Sequence, residues 1–398
     1  MTKLFAITGK PISGEWGTDA EEGNGIPVLR TTNFTNTGKI DYSNVVMRNI
    51  NKNDLTNKYL KKGDIILEKS GGSDKQPVGR VVYFDGPDDT YLFNNFTGLL
   101  RVKEQKEWLP KYVFWALYAS YKQGKTRQFE NKTTGLHNLQ SDAFVKKTDI
   151  KQVDFCKQIE ISAILDKLRC QIETRKNEIN ELDVLVKARF VEMFGDPCCN
   201  QLNWKCKKLN EITSKIGSGA TPKGGKESYV VNGVSFVRSL NVYDGNFVYK
   251  NLAHLTQEQA SQLQNVTLKK DDVLINITGA SVARSCIVPN DILPARVNQH
   301  VSILRPNLEN VNPVFLNQLL ISYNFKNKLL NLGSAGGATR QAITKQQLED
   351  LEIILPPIEL QNQFALFVHQ VDKSKVAIQK SLDEAQTLFD SLMQEYFS

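Results

Sequence analysis

"LKKGDIILEK" occupies Leu60–Lys69, and "LKKDDVLINI" occupies Leu268–Ile277, 208 residues further along the chain. A ten-residue phrase written twice points to a duplicated module, and further matches follow in the same order. "KLFAIT" (Lys3–Thr8) answers "KLNEIT" (Lys208–Thr213). "VLRTTNF" (Val28–Phe34) answers "FVRSLNV" (Phe236–Val242), aligning Arg30 with Arg238 and Asn33 with Asn241. "FNNFTGLLRV" (Phe93–Val102) answers "VNQHVSILRP" (Val297–Pro306), aligning Asn94 with Asn298 and Arg101 with Arg305. "TTGLHNL" (Thr133–Leu139) answers "GATRQAI" (Gly337–Ile343), and "EMF" (192–194) answers "EYF" (395–397). The offset varies between 203 and 208, as short loop insertions in a tandem duplication produce.

Each copy has a longer and a shorter part. The longer part reads as short strands: "DIILEK", "RVVYF", "DVLINI" and "CIVP" are β-branched runs bounded by Gly, Asp and Pro. One helix is expected in each, over "PKYVFWALYASYKQ" and over "PVFLNQLLISYNFKNKLL", both opening on Pro. The shorter part reads as a long helix. In the first copy Ile161, Leu165, Leu168, Ile172, Ile179, Leu182, Val186 and Met193 recur at steps of four and three. In the second, Phe364, Val368, Val371, Ile378, Leu382, Ala385, Phe389, Leu392 and Tyr396 keep the same frame. Such heptads over about 35 residues, ~50 Å of helix, suit a coiled coil better than a helix buried on one domain. The fold class expected is α+β: two tandem β-rich domains and two long helices paired as an antiparallel coiled coil, with pseudo-twofold symmetry. The domains fall at 1–155, 156–197 (first spacer helix), 198–355 and 356–398 (second spacer helix).

Composition limits the function. The chain has 398 residues and net charge +7. Residues 151–197 carry −1 and residues 356–398 carry −3, which leaves +11 on the β-rich parts, the sign phosphate neutralisation requires. No apolar run reaches membrane-spanning length and the N-terminus lacks an apolar signal core, so a cytoplasmic protein is expected. Six scattered Cys without C-x-x-C spacing, and four His, argue against zinc and for reduced thiols.

Catalytic motifs are missing. "GSGATPKGGKES" (Gly217–Ser228) fails the phosphate-loop pattern, because Ala220 and Glu227 stand where Gly and a hydroxyl are required. It reads as a flexible Gly/Ser loop. "GDIILEK" imitates a metal-nuclease motif, but adjacent Glu68 and Lys69 face opposite sides of a strand, and the second copy has Asn276 and Ile277 there. No amino-methyltransferase Pro-Pro-Tyr loop and no Ser/His/Asp or Cys/His constellation stands out.

Two β-rich modules alternating with two long helices, "LPPIELQNQF" before the second helix, a weakened "KQIEISAIL" before the first, and the modular opening "NWKCKKLNEI" together resemble the specificity subunit of a type I restriction–modification system. The resemblance covers essentially the whole chain. It implies a non-catalytic DNA-recognition subunit whose two target-recognition domains each read half of an interrupted, asymmetric site in double-stranded DNA. It also implies that the coiled coil sets the half-site separation and docks two modification (methyltransferase) subunits. Those partners bind S-adenosylmethionine and methylate adenine, while restriction/motor subunits use ATP and Mg. No cofactor or metal is expected on this chain. Two departures stand out: the first copy lacks a Trp before "KLFAIT", and its Pro-Pro is reduced to "CKQIE".

Polar residues at turn-adjacent positions are the DNA-contact candidates. They are Arg30, Asn33, Lys69, Ser70, Arg80, Asn94, Asn95, His137 and Asn138 in the first copy. In the second they are Arg238, Asn241, Thr278, Arg284, Asn298, Gln299, His300, Arg340 and Gln341. Arg suits guanine, Asn and Gln suit adenine, and Lys and Ser suit phosphate. Residues matched between copies can equally serve a shared frame, so specificity is expected where the copies differ, above all between "SGGSDKQPVGR" (Ser70–Arg80) and "TGASVAR" (Thr278–Arg284). Two other classes stay open: a self-sufficient methyltransferase or nuclease, and a coiled-coil protein scaffold.

Overall fold

The computed structural model describes residues 1–21, 24–52, 54–133, 136–222, 224–334 and 341–398. The chain forms two units, Met1–Lys176 with Lys380–Ser398, and Asn177–Gln379.

In the first unit six strands carry the frame: β1 (Ile12–Ser13), β2 (Ile26–Leu29), β3 (Ile65–Glu68), β4 (Val81–Tyr83), β5 (Leu92–Phe93) and β6 (Thr97–Leu100). β1, β6, β3 and β4 lie side by side in that order, all antiparallel. β2 pairs parallel with β5 and antiparallel with Val46–Asn49. Helix α1 (Pro110–Lys122), opened by Pro at its first turn, buries Tyr112, Val113, Phe114 and Trp115.

The second unit repeats this strand for strand. Its counterparts are β7 (Thr213–Ser218), β8 (Val234–Val237), β9 (Val273–Asn276), β10 (Ser285–Ile287), β11 (Ala295–Val297) and β12 (Val301–Pro306). β7, β12, β9 and β10 form the antiparallel sheet, and β8 pairs parallel with β11 and antiparallel with Ala253–Leu255. The two copies therefore share topology as well as sequence. Both expected strand runs of each copy are strands. The second expected helix is two: Pro313–Ile321 ends at Ser322, whose extended backbone and hydroxyl bond to the Leu319 carbonyl stop it before Tyr323–Ser334 begins.

The long helices are α2 (Phe155–Phe194) and, taking Pro313–Ile321 as α3 and Tyr323–Ser334 as α4, α5 (Ile358–Phe397). Each has 40 residues, about 60 Å at 1.5 Å per residue. α5 starts after Pro356-Pro357. α2 lacks that pair and is capped by Asp154, whose carboxylate accepts from the Lys157 N–H at 2.9 Å. Each unit holds the start of one helix and the end of the other. In the second unit Lys375 pairs with Asp183 and Phe364 packs on Phe190 at 5.5 Å. In the first, Ile172 and Phe389 line one groove. As the α2 number rises from 172 through 183 to 190, the α5 partner falls from 389 through 375 to 364, so the segments are antiparallel. Of the seam residues, Leu165, Leu168, Ile172, Val186, Val371, Leu382 and Phe389 are buried, and Ile179, Leu182, Val368, Ile378 and Leu392 are half-buried. Near the end of α2 burial passes from Met193 to Phe190 and Phe194, which meet Phe315 and Phe364.

Candidate nucleic-acid interface

The repeated phrase builds the frame rather than a site. Asp64 is buried, accepts from the Lys61 N–H at 2.7 Å and takes both Nε (2.8 Å) and Nη2 (2.6 Å) of Arg101. Asp272 does the same with the Lys269 N–H (2.7 Å) and with Nε (2.7 Å) and Nη2 (2.8 Å) of Arg305. A turn, a strand and its neighbour are thereby tied by one carboxylate. The single difference inside the turn has a backbone reason: Gly63 and Asp271 both have positive φ, +98° and +67°, a region that Gly enters freely and Asp tolerates.

Several DNA-contact candidates belong to this frame. Asn33 and Asn241 are buried, accept from the backbone N–H of Arg30 (2.9 Å) and Arg238 (3.1 Å), and donate to the Asp41 and Val248 carbonyls. The Arg30 and Arg238 guanidinium groups donate to the Asn44 and Asn251 carbonyls, securing the same loop in each copy. Asn94 and Asn298 are buried in matching turns. Asn94 accepts from the Thr97 hydroxyl, and Asn298 from the His300 N–H. His137 is 6% exposed and its Nδ1 lies 2.6 Å from Glu130. Asn33 and Asn241 spend both ends of their amides inside the protein, and the bonds made by Arg30, Arg238, Asn94, Asn298 and His137 also run to the frame, although the buried Nε of Arg30 and of Arg238 has no partner among the described residues; for these seven the geometry favours support over base reading.

Most of the remaining candidates among the described residues gather beyond the ends of β3 and β9. The loops there hold equivalent places: the Lys69 and Ile277 N–H groups donate to the Phe96 and His300 carbonyls, and the Leu139 and Ile343 N–H groups to the Lys69 and Ile277 carbonyls. In the first copy the Ser70 hydroxyl donates to Asn138 at 2.5 Å, and Lys69 donates to Ser13 at 3.2 Å. Burial, with the Lys58 ammonium, holds the Lys69 pKa below the ordinary lysine value. Asn95 is exposed beside Phe96, itself 53% exposed. Arg80 does not join them. Its Nε and Nη2 both donate to the buried Glu68 carboxylate at 2.8 Å. Burial alone would depress Arg80, and Glu68 outweighs it, raising the pKa above the ordinary arginine value.

In the second copy Thr278, Arg284, His300 and Gln341 converge on one cleft of about 580 Å³. Thr278 Oγ1 lies 2.7 Å from His300 Nδ1, and Gln341 donates to Ser334 at 3.0 Å. Asn276 stands where Glu68 does and donates to the Ser239 carbonyl at 2.9 Å. Arg284 therefore makes no ion pair among the described residues, and its guanidinium lies over the Tyr243 ring at 4.4 Å. Gln299 is exposed and takes the Thr221 hydroxyl. Arg340 lies outside the described residues. Sequence reading did not name Leu240 and Tyr243 in the cleft wall, nor Phe96, which stands opposite His300 in the alignment. The signal available was that Phe96 and His300, like Thr32 and Leu240, differ inside otherwise matched stretches; Tyr243 lies one residue beyond one of them.

The "GSGATPKGGKES" stretch is partly strand, not free loop: Gly217 and Ser218 close β7, and a Cβ on Gly219 would sit 1.9 Å from the Val297 carbonyl oxygen. A Cβ on Gly14 in the first copy would likewise sit 2.2 Å from the Asn94 carbonyl oxygen. Among the described residues no group of three His, Cys, Asp or Glu could hold a metal ion. No helix among them is long and apolar enough to cross a membrane.

Two copies of one frame, with unlike polar surfaces beyond equivalent strands and long paired helices, define a tandem recognition protein. The chain belongs to the family of the type I restriction modification DNA specificity domain, whose pattern matches twice, over residues 8–184 and 201–385. Its role is that of a specificity subunit, which recognises DNA and leaves catalysis to other chains. It is 24% identical over 385 residues to the MjaX type I restriction enzyme specificity subunit of Methanocaldococcus jannaschii, covering 92% of this chain and 86% of that one. The EcoBI specificity subunit of Escherichia coli is 25% identical over 165 residues, 42% of this chain and 34% of that one. Among solved structures, the S subunit of the M. genitalium type I system shares the fold at a TM-score of 0.62 and 14% identity, covering 100% of this chain and 95% of that one. A chain from a structure concerned with assembly and conformational transition of a type I system does so at 0.56 and 16%, covering 100% and 96%.

Proposed function

We propose that the chain reads an interrupted, asymmetric site in double-stranded DNA, one half through residues 1–155 and the other through residues 198–355. Segments 156–197 and 356–398 serve as the spacer and as the docking surface for two methyltransferase subunits. Those subunits bring S-adenosylmethionine and methylate adenine, and restriction/motor subunits using ATP and Mg complete the assembly in the cytoplasm. The observation that carries the reading is one frame presenting two different surfaces. Phe96 stands where His300 does, Ser70 where Thr278 does, and an ion-paired Arg80 where an unpaired Arg284 does. Identical surfaces would favour a symmetric site; unlike ones favour unlike halves. The +11 charge on the β-rich parts suits phosphate contact.

The test replaces residues 1–155 with the corresponding module of another specificity subunit and maps methylated adenines across the genome. One half of the motif should change and the other should persist. A change in both halves, or in neither, refutes modular reading.

A further inference from the structure

Arg is present at the same place in both copies, yet its surroundings differ in a way that decides what it can do. Arg80 is closed on itself: two parallel hydrogen bonds from Nε and Nη2, both 2.8 Å, are taken up by Glu68, which is 1% exposed. Its Nη2 also donates to the Thr31 carbonyl at 3.2 Å. That is the fork a guanine O6/N7 edge would need, already occupied. Arg284 has the opposite arrangement. The residue aligned with Glu68 is the neutral Asn276, fully buried and donating to the Ser239 carbonyl. No acidic residue lines the cleft into which Arg284 faces. Tyr243, 42% exposed, lies under the guanidinium at 4.4 Å. A ring beneath the guanidinium plane restrains its orientation and leaves its N–H edge unspent, which is the preorganisation a bidentate base contact needs. Thr278 and His300, joined at 2.7 Å, form a second polar element on the same wall.

Resting on the reading of the second module as one half-site reader, we propose that Arg284 is a specificity-determining residue that reads a guanine in that half-site, and that Glu68 silences the equivalent Arg80 in the first module. The half-sites then differ in part because one module holds a buried carboxylate beside its arginine and the other holds an amide. The first module reads with what remains on its rim, Ser70, Asn138 and Phe96 among them.

The experiment maps methylated adenines in cells carrying the full methyltransferase complex with the wild-type chain, R284Q, R284K, or the paired replacement E68Q/R80Q. A fourth chain has residues 198–355 exchanged for another module. R284Q and R284K should both relax one guanine-bearing position, lowering its preference by about 5- to 150-fold, and only in the half that the module exchange alters. R284K keeps the charge and loses the fork, so loss in both separates base reading from a phosphate contact. E68Q/R80Q should leave the motif unchanged while the complex still methylates. If the exchange alters one half but R284Q leaves every position intact, Arg284 is not a base reader, and if R284K keeps the wild-type motif the two-pronged guanidinium contact is refuted; the modular reading survives either result. If E68Q/R80Q changes the motif, Arg80 is not silenced. If the exchange alters neither half, the modular reading itself falls.

Discussion

Asp272→Asn should be among the most destabilising substitutions that leave the shape of a side chain unchanged. Asp272 is 0% exposed and accepts three charge-assisted or backbone hydrogen bonds, from Arg305 Nε at 2.7 Å, Arg305 Nη2 at 2.8 Å and the Lys269 N–H at 2.7 Å. Asparagine presents an NH₂ to at least one of these donors and removes the counter-charge. Breaking one partner of a buried pair costs about 3–5 kcal/mol. The Arg305 side chain is 19% exposed, so water recovers part of its charge and the lower end of that range applies. The unmatched backbone donor adds about 1 kcal/mol. The sum is about 3–4 kcal/mol, or a urea midpoint lowered by roughly 1.5–2 M at an m-value near 2 kcal/mol per M. Asp272→Leu with Arg305→Met removes both charges together and should cost much less, about 1 kcal/mol, because no lone ion is left behind. Equilibrium urea unfolding followed by circular dichroism, arranged as a double-mutant cycle, measures both. A loss below about 1 kcal/mol for Asp272→Asn, or a double replacement as costly as the single, would refute the assignment of the repeated phrase to the frame.

Three further outcomes follow from the same structure. Gly219→Ala and Gly14→Ala should each abolish soluble protein or cost more than about 3 kcal/mol in urea unfolding, because the added methyl meets backbone oxygen at 1.9 and 2.2 Å. Gly217→Ala, with nothing within 4 Å, is the neutral comparison. Native alkylation of the isolated chain, followed by mass spectrometry, should label Cys156, Cys170, Cys198, Cys199 and Cys206, all exposed. Cys286 should react only after unfolding, since burial pushes its thiol up to about 12 and raising the buffer to pH 9 does not form thiolate. Gln361→Ala should lower stability by about 2 kcal/mol, because its buried amide links the Asn312 N–H (2.9 Å) with the Pro356 and Asn310 carbonyls; thermal unfolding of Gln158→Ala, which unlinks Leu109 and Glu107, should match it.

The duplication was readable because the residues that repeat are those that pair within each copy. Asp64 with Arg101, and Asp272 with Arg305, come from two separate matched stretches, and a pair that must fit in three dimensions holds both stretches fixed. Heptad spacing likewise exposed the long helices, since a seam imposes its period on sequence. Three features were hidden for physical reasons. Phe190 and Phe194 replace Met193 as buried residues where α2 meets module side chains, so the seam period no longer governs. Ser322 breaks a strongly apolar helical run through a local hydroxyl bond that a periodicity cannot register. Gly219 looks like loop flexibility in sequence and acts as a close-approach residue in space.

The same contrast explains why matched polar residues are poor candidates for base reading and mismatched ones good candidates. A frame of this kind has to satisfy its own buried donors and acceptors before any ligand arrives, so Asn33 and Asn241, or Asn94 and Asn298, are committed in both copies alike. Once the frame is satisfied internally, the loops beyond β3 and β9 can change without endangering it. Arg80 and Arg284 mark that boundary. They share residue type, alignment and backbone pairing, each offering its carbonyl to the strand residue aligned with the other's partner, Glu68 or Asn276. Their side chains nevertheless fall on opposite sides of it, one bonded inward by Glu68 and one resting on Tyr243 with its edge unspent. A single replacement at a buried neighbour can thus move a cation from frame to surface without altering the fold. Duplicating a module and then varying such neighbours yields two unlike surfaces on one architecture, which is what the proposed asymmetric site demands.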